Sequence, residues 1–200
     1  MADPAPTRLD PGYRAALLFS AVLNGLMFLV EGGIGLHIGS AALIADAMDF
    51  LEDTGLYCLA VVALLWSARR RANIAVLMAV FMAGVGGMAI WQIIERLLQG
   101  GAPAPAPMAA TAALALAVNV LCASRLVRWK RGDAGMRSIW LSTRNDAVLN
   151  LATIAAAGVV ALTSAGWADI ALGALIAAVN LWAALGIARQ ALAERRGATE

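Results

Sequence analysis

Six apolar runs follow one another along the chain, at about 14–36, 40–66, 73–98, 108–129, 137–163 and 167–190. Each reaches or exceeds the roughly 20 residues a helix needs to cross a bilayer. The breaks between them differ in kind. The first is tight, around His37, Gly39 and Ser40. The second carries Arg69, Arg70 and Arg71, and the third runs from Gly100 through alternating Ala and Pro to Pro107, which reads as a stiff extended connector. The fourth carries Arg125, Arg128, Lys130, Arg131 and Arg137, and the fifth, around Ser164 to Asp169, has no base. The pattern predicts an all-α integral membrane protein with six transmembrane helices.

Charge then orients the bundle. Of the 15 Lys and Arg, 13 fall in the N-terminal tail, the second and fourth breaks and the C-terminal tail. With an even number of crossings these all lie on one side, so the positive-inside rule puts both termini in the cytoplasm. Residues 1–12 and 193–200 then read as short cytoplasmic tails around a transmembrane domain at 13–192. Arginines beside spans are the ordinary topology signal and give no ground for a nucleic-acid partner. The chain is 62% hydrophobic and 14% charged, with mean hydropathy +0.77. Soluble domains average about 45–50% apolar and 25% charged.

Composition removes some chemistry. His37 is the sole histidine, so a His/Cys zinc site is excluded. Cys58 and Cys122 lie in different runs with no C-x-x-C spacing and read as buried free thiols. The first apolar run is too long for a signal-peptide core and lacks a small-x-small cleavage site. Glycines crowd the first run (Gly25, Gly32, Gly33, Gly35) and the third (Gly84, Gly86, Gly87), as helix-packing faces do. Trp66, Trp129 and Trp167 fall near span ends, where indoles favour the interface, whereas Trp91, Trp140 and Trp182 sit further in and read as packing residues.

The second run breaks the apolar pattern most sharply. Asp46, Asp49, Glu52 and Asp53 fall within nine residues. At about 100° per residue, Asp46, Asp49 and Asp53 lie within about 60° of one another on a helix, with Glu52 about 60° further round. Ionised carboxylates in hydrocarbon cost at least a few kcal/mol and are usually functional. Gathered on one stripe, they repel unless they share protons or a cation, and hard oxygen ligands suit a divalent metal. Helix capping or a water-facing loop is the plainer alternative, but the flanks stay apolar in both directions.

The fifth run holds a second polar set, Ser142, Asp146 and Asn150, spaced i, i+4, i+8 on one face. Arg144 points elsewhere and reads as snorkelling to the interface. Asp146 needs a partner, either a cation held with Asp49 and Asp53 or a buried hydrogen-bond cluster. Asn24, Asn119 and Asn180 read as interhelical hydrogen bonds. Glu31 and Asp46 are proton-relay or pathway candidates, and Glu95 with Arg96 reads as an interfacial ion pair.

With these residues in place, the chain resembles the cation diffusion facilitators, a family of divalent-metal/proton antiporters. The stretch Gly39 to Asp53 is similar to the family's second-helix signature, in which His or Asp precedes Asp by four residues; here the pair is Asp49 and Asp53. Asn24 and Glu31 resemble its first-helix polar positions, Glu95-Arg96 the end of its third helix, and Asn119 the asparagine of its fourth. Arg144 to Asn150 resembles the fifth-helix motif, and Trp167 to Ile170 the entry to the sixth. Two departures stand out. The family's fifth-helix His-x-x-x-Asp reads Ser142-x-x-x-Asp146, and the cytoplasmic domain of many members is expected to be absent.

The resemblance implies export of a divalent cation in exchange for protons. Asp49, Asp53 and Asp146 would be the ligands, assisted by Ser142 and by Asn145 or Asn150. The metal would be substrate, one of zinc, cobalt, cadmium, manganese or iron(II), with no permanently bound cofactor. Oxygen ligands without histidine lean towards the harder ions, while the family leans towards zinc, cobalt and cadmium. Partners are the metal, protons and the bilayer, with a homodimer left open. The high Ala and Gly content suggests a bacterial inner membrane. A metal-dependent lipid phosphotransferase also carries aspartates four apart, but the Asp-Gly-x-x-Ala-Arg stretch it needs is missing, so the chain is not read as an enzyme. The alternative is a non-transporting metal-sensing or assembly subunit.

Overall fold

The computed structural model describes residues 11–62, 68–131 and 134–197, and over these the chain forms six α-helices and no strand. They are α1 (Pro11–Ile38), α2 (Ala41–Val62), α3 (Ala68–Gln99), α4 (Pro105–Leu126), α5 (Ala134–Thr163) and α6 (Trp167–Gly197). A short 3-10 turn, Val127–Trp129, closes α4. Each expected run is one helix. The boundaries differ most at α6, which continues to Gly197, and at α3, which begins at Ala68; the proline connector also gives up its last residues to α4. Pro105 and Pro107 belong to the first turn of α4, where a proline has no hydrogen bond to lose. Ala104 before them is extended, at φ −66° and ψ 115°.

Helix α2 is the hub, packed against α1, α3, α5 and α6. Every residue from Ala41 to Met48 is buried, so this half of α2 meets protein on all sides. The other helices turn one face outward. Three described stretches are apolar and long enough to cross a membrane, Pro11–Ile38, Pro105–Trp129 and Ile139–Thr163, with a shorter one at Trp167–Trp182. The acids of α2 keep it out of that group.

Three turns meet at the base-poor end. Asp169, in the first turn of α6, accepts from Ser40 Oγ (2.6 Å), Ala41 N (2.9 Å) and Ala42 N (3.1 Å). It caps the start of α2 across the bundle, satisfying N–H groups that the helix cannot. Arg96 does the reverse for α1, donating from Nη2 to the Ile38 carbonyl (2.6 Å) and from Nε to the Gly39 carbonyl (2.7 Å). The expected Glu95–Arg96 ion pair is therefore corrected. Arg96 reaches a backbone turn, and Glu95 accepts from Gln99 Nε2 at 3.1 Å. Gly39 has φ +65°, which places its carbonyl under the guanidinium.

The opposite end carries the bases and is closed by apolar and aromatic packing. Tyr13, Leu17, Tyr57, Val61, Leu126 and Trp129 form one buried cluster, with the Tyr13 and Trp129 ring centres 5.4 Å apart. Arg125 lies over Phe19 (5.0 Å), and Lys130 and Arg144 both lie over Trp140 (5.5 Å each). These cations rest on aromatic faces at the rim of the bundle, as snorkelling side chains do. The alternation of the two ends matches six crossings. Trp91 and Trp182, expected to pack inside, are exposed. Arg8 and Trp66 lie outside the described residues.

Close helix contact rests on glycine at α6. A Cβ on Gly173 would come within 2.6 Å of the Ala41 carbonyl carbon, a backbone atom that cannot swing away. Gly173→Ala should therefore push α6 off α2 and cost about 1–3 kcal/mol. A lowered apparent Tm in detergent checks this, and an unchanged Tm would contradict the close α2–α6 approach.

Candidate metal and proton site

Polar groups lie in two layers along α2. Below the apolar plug comes the level of Asp53. Next comes an apolar layer of Phe50, Met27 and Ala115 from α2, α1 and α4. Beyond it lies the level of Asp46. The i, i+3, i+7 spacing of Asp46, Asp49 and Asp53 thus distributes carboxylates along the helix axis instead of stacking them at one height.

In the first layer, Asp53 is 3% exposed. Tyr57, one turn on, donates from Oη to Asp53 Oδ2 at 2.5 Å. The same hydroxyl meets Thr143 Oγ1 of α5 at 2.6 Å, and Thr143 also reaches the Ile139 carbonyl at 3.0 Å. Asp146, one turn further along α5 and buried, has its carboxyl beside that of Asp53. Asn150 is fully buried; its Nδ2 donates to the Asp146 carbonyl at 2.9 Å, which leaves Oδ1 with no donor. Asp49 is half-buried, and its Oδ2 is enclosed without a donor. It lies beside Asn180 of α6, whose Nδ2 donates to the Ala45 carbonyl at 3.1 Å.

In the second layer, Glu31 of α1 faces Asp46 of α2, both at 0% exposure. No donor reaches any of the four oxygens. Buried polar atoms are nearly always paired, and two donorless carboxyls can share this space only by holding a proton or a cation between them.

The remaining predicted residues divide. Ser142 is half-buried on the face of α5 that carries Asp146. Asn145 is exposed, with Oδ1 accepting from Arg144 Nη2 at 3.2 Å, and stands apart from the buried set. Among the described residues, no three His, Cys, Asp or Glu side chains are grouped so as to hold one metal ion. The carboxyls stand as two pairs, Asp53 with Asp146 and Glu31 with Asp46, and Asp49 lies between them along α2. Cys122 is buried as expected; Cys58 is exposed.

Tyr57 and Thr143 were not singled out in the sequence. The i+4 spacing from Asp53 to Tyr57 was a usable signal. Thr143 had none, because only tertiary packing chooses it over Ser142.

Carboxyls from neighbouring helices thus lie paired deep in an apolar six-helix bundle. The chain belongs to the cation efflux family: the cation efflux transmembrane domain matches residues 17–194. No curated protein matches it in sequence.

Tyr57→Phe keeps the ring in the plug but removes the hydroxyl from two buried partners. It should cost about 1–3 kcal/mol, read as a lower apparent Tm. Thr143→Val should act through the same bond, so the double variant should lose less than the sum of the singles. Additive losses would show that the two hydroxyls are not linked.

Proposed function

We propose that this protein exports a divalent metal cation in exchange for protons, binding the metal between α2 and α5. Asp53 and Asp146 provide the central ligands, Asp49 joins from α2, and Ser142 and the free Oδ1 of Asn150 complete the oxygen set. The observation that carries this reading is the meeting of the Asp53 and Asp146 carboxyls from two helices in one buried layer, in a chain of the cation efflux family. Binding draws the carboxylates in around the ion, which neutralises charges that repel in its absence. The Glu31–Asp46 pair carries the counter-transported proton. Both termini face the cytoplasm, with the base-rich end inside, in the inner membrane of a bacterium.

Alternating access follows if the metal binds from the base-rich side and leaves from the other, with protons returning the empty site. Asp53→Asn and Asp146→Asn each remove one ligand charge while keeping shape. Either variant should insert and fold, yet lose metal flux and metal-dependent proton release in proteoliposomes. Wild-type flux in both would overturn the assigned site.

Ser142→His places a borderline nitrogen ligand one turn from Asp146. Affinity for zinc and cadmium should rise relative to manganese, and competition binding on the purified protein reads the ratio. An unchanged ratio would mean that Ser142 does not face the ion.

A further inference from the structure

The two oxygens of Asp53 are not equivalent. Tyr57, one turn on along α2, donates from Oη to Oδ2 at 2.5 Å, while the Asp146 carboxyl of α5 lies beside the same side chain. The phenol is held as firmly as the carboxyl. Tyr57 and Thr143 are both at 0% exposure and Asp53 is at 3%. The Tyr57 ring belongs to the apolar plug with Leu17, Val61 and Leu126, and Thr143 Oγ1 meets its hydroxyl from α5 at 2.6 Å. Turning the hydroxyl aside would leave a buried phenol and a buried carboxylate oxygen unmatched, which costs more than the bond itself contributes.

A carboxylate meets a cation through one oxygen or through both, and the second mode needs both oxygens clear. A hydrogen bond from a neighbouring side chain fixes how such a ligand is presented. From this arrangement we propose that Tyr57 is a positioning residue that limits Asp53 to one ligand oxygen and so favours ions of low coordination number. The proposal rests on the transport reading and deepens it by assigning part of the site's metal preference to a residue that does not touch the ion. Zinc is satisfied by four ligands, whereas manganese takes six oxygens in an octahedron. Holding Oδ2 on the phenol therefore withholds an oxygen that manganese needs and zinc does not. A plain tie between α2 and α5 would also use a hydroxyl at this place. The two roles part at Thr143, because the tie needs both residues and the restraint on Asp53 needs only the bond to Oδ2.

The test measures the affinity of the purified full chain for zinc chloride and for manganese chloride by titration calorimetry. Tyr57→Phe keeps the ring and frees Oδ2, so affinity for manganese should rise relative to zinc on the order of tenfold. Thr143→Val breaks the same α2–α5 tie but leaves the phenol on Asp53. It should lower the apparent Tm and keep the parent's zinc-to-manganese ratio. A parent ratio in Tyr57→Phe, or an equal shift in Thr143→Val, would overturn the role of Tyr57. Should Tyr57→Phe fail to fold, the phenol is read directly. The chain has two tyrosines, so in the Tyr13→Phe protein the infrared C–O stretch of Tyr57 stands alone. Saturating zinc should leave that band where a phenol donating to a carboxylate absorbs, and a move to the position of a non-donating phenol overturns the role as well. The site itself is checked separately: zinc affinity that Asp53→Asn leaves at the parent value removes Asp53 as a ligand, and the metal-site reading fails with it.

Discussion

Carboxyl groups enclosed along α2 need compensation, and the helix compensates its three aspartates differently. Asp53 has a tyrosine hydroxyl at 2.5 Å. Asp49 has the Asn180 amide beside it and one oxygen left unmatched. Asp46 has only Glu31, another acid. Desolvating a carboxylate costs several kcal/mol even after relaxation, so the least compensated positions are where a bound proton or cation returns the most free energy. The helix tolerates this because its apolar residues, from Ala41 to Ile44 and at Phe50 and Tyr57, are buried to within a percent or so of completeness. Burial of those side chains stabilises the bundle enough to hold an unfavourable site within it.

The two ends of the bundle are fastened by different forces. At the base-poor end, Asp169 and Arg96 each bind backbone groups of the α1–α2 turn, and charge-assisted bonds of that kind are short and strong. The hairpins there are tied by polar bonds that an opening motion would have to break and resatisfy. At the base-rich end, apolar and aromatic surfaces meet, and the polar link from α2 to α5 described there is Tyr57 with Thr143. Separating apolar surfaces in contact with lipid tails carries little hydrophobic penalty. On the transport reading, the easier opening would then lie beside Asp53 and the firmer hinge at the far end.

Periodicity and apolar length were enough to read six helices, since nothing but a helix satisfies its own backbone inside a bilayer. Charge placement was enough to read which loops share an end. Residues whose value depends on what lies across the interface were harder. Arg96 next to Glu95 suggested an ion pair, because adjacency in sequence is visible and the α1 carbonyls are not. Trp91 and Trp182 looked interior from their position in a run, but the face a residue presents depends on helix rotation, which mean apolarity does not fix. Ser142 was chosen over Thr143 from motif spacing, while the fold sends the Thr143 hydroxyl to α2 and leaves Ser142 half-buried. The resemblance offered Asn145 or Asn150 as a further ligand, and in the fold the Asn145 Oδ1 accepts from Arg144 while Asn150 is buried.

The separation of the two carboxylate layers bears on how metal and proton could be exchanged without meeting. Phe50, Met27 and Ala115 fill the space between the levels of Asp53 and Asp46, so no continuous polar seam joins them through that cluster. Asp49 spans the gap electrostatically, three residues from Asp46 and four from Asp53, and its charge acts on both. Counterions screen such interactions over about 8 Å in physiological salt, but much less between buried groups. On the proposed reading, a cation arriving at Asp53 and Asp49 would cancel a charge that Asp46 and Glu31 otherwise oppose, and that pair would then release its proton. Withdrawal of the cation would restore the repulsion and draw a proton back. On this argument the coupling needs no proton to pass through the metal site: two pairs of acids, one shared neighbour and a low-dielectric surround are sufficient.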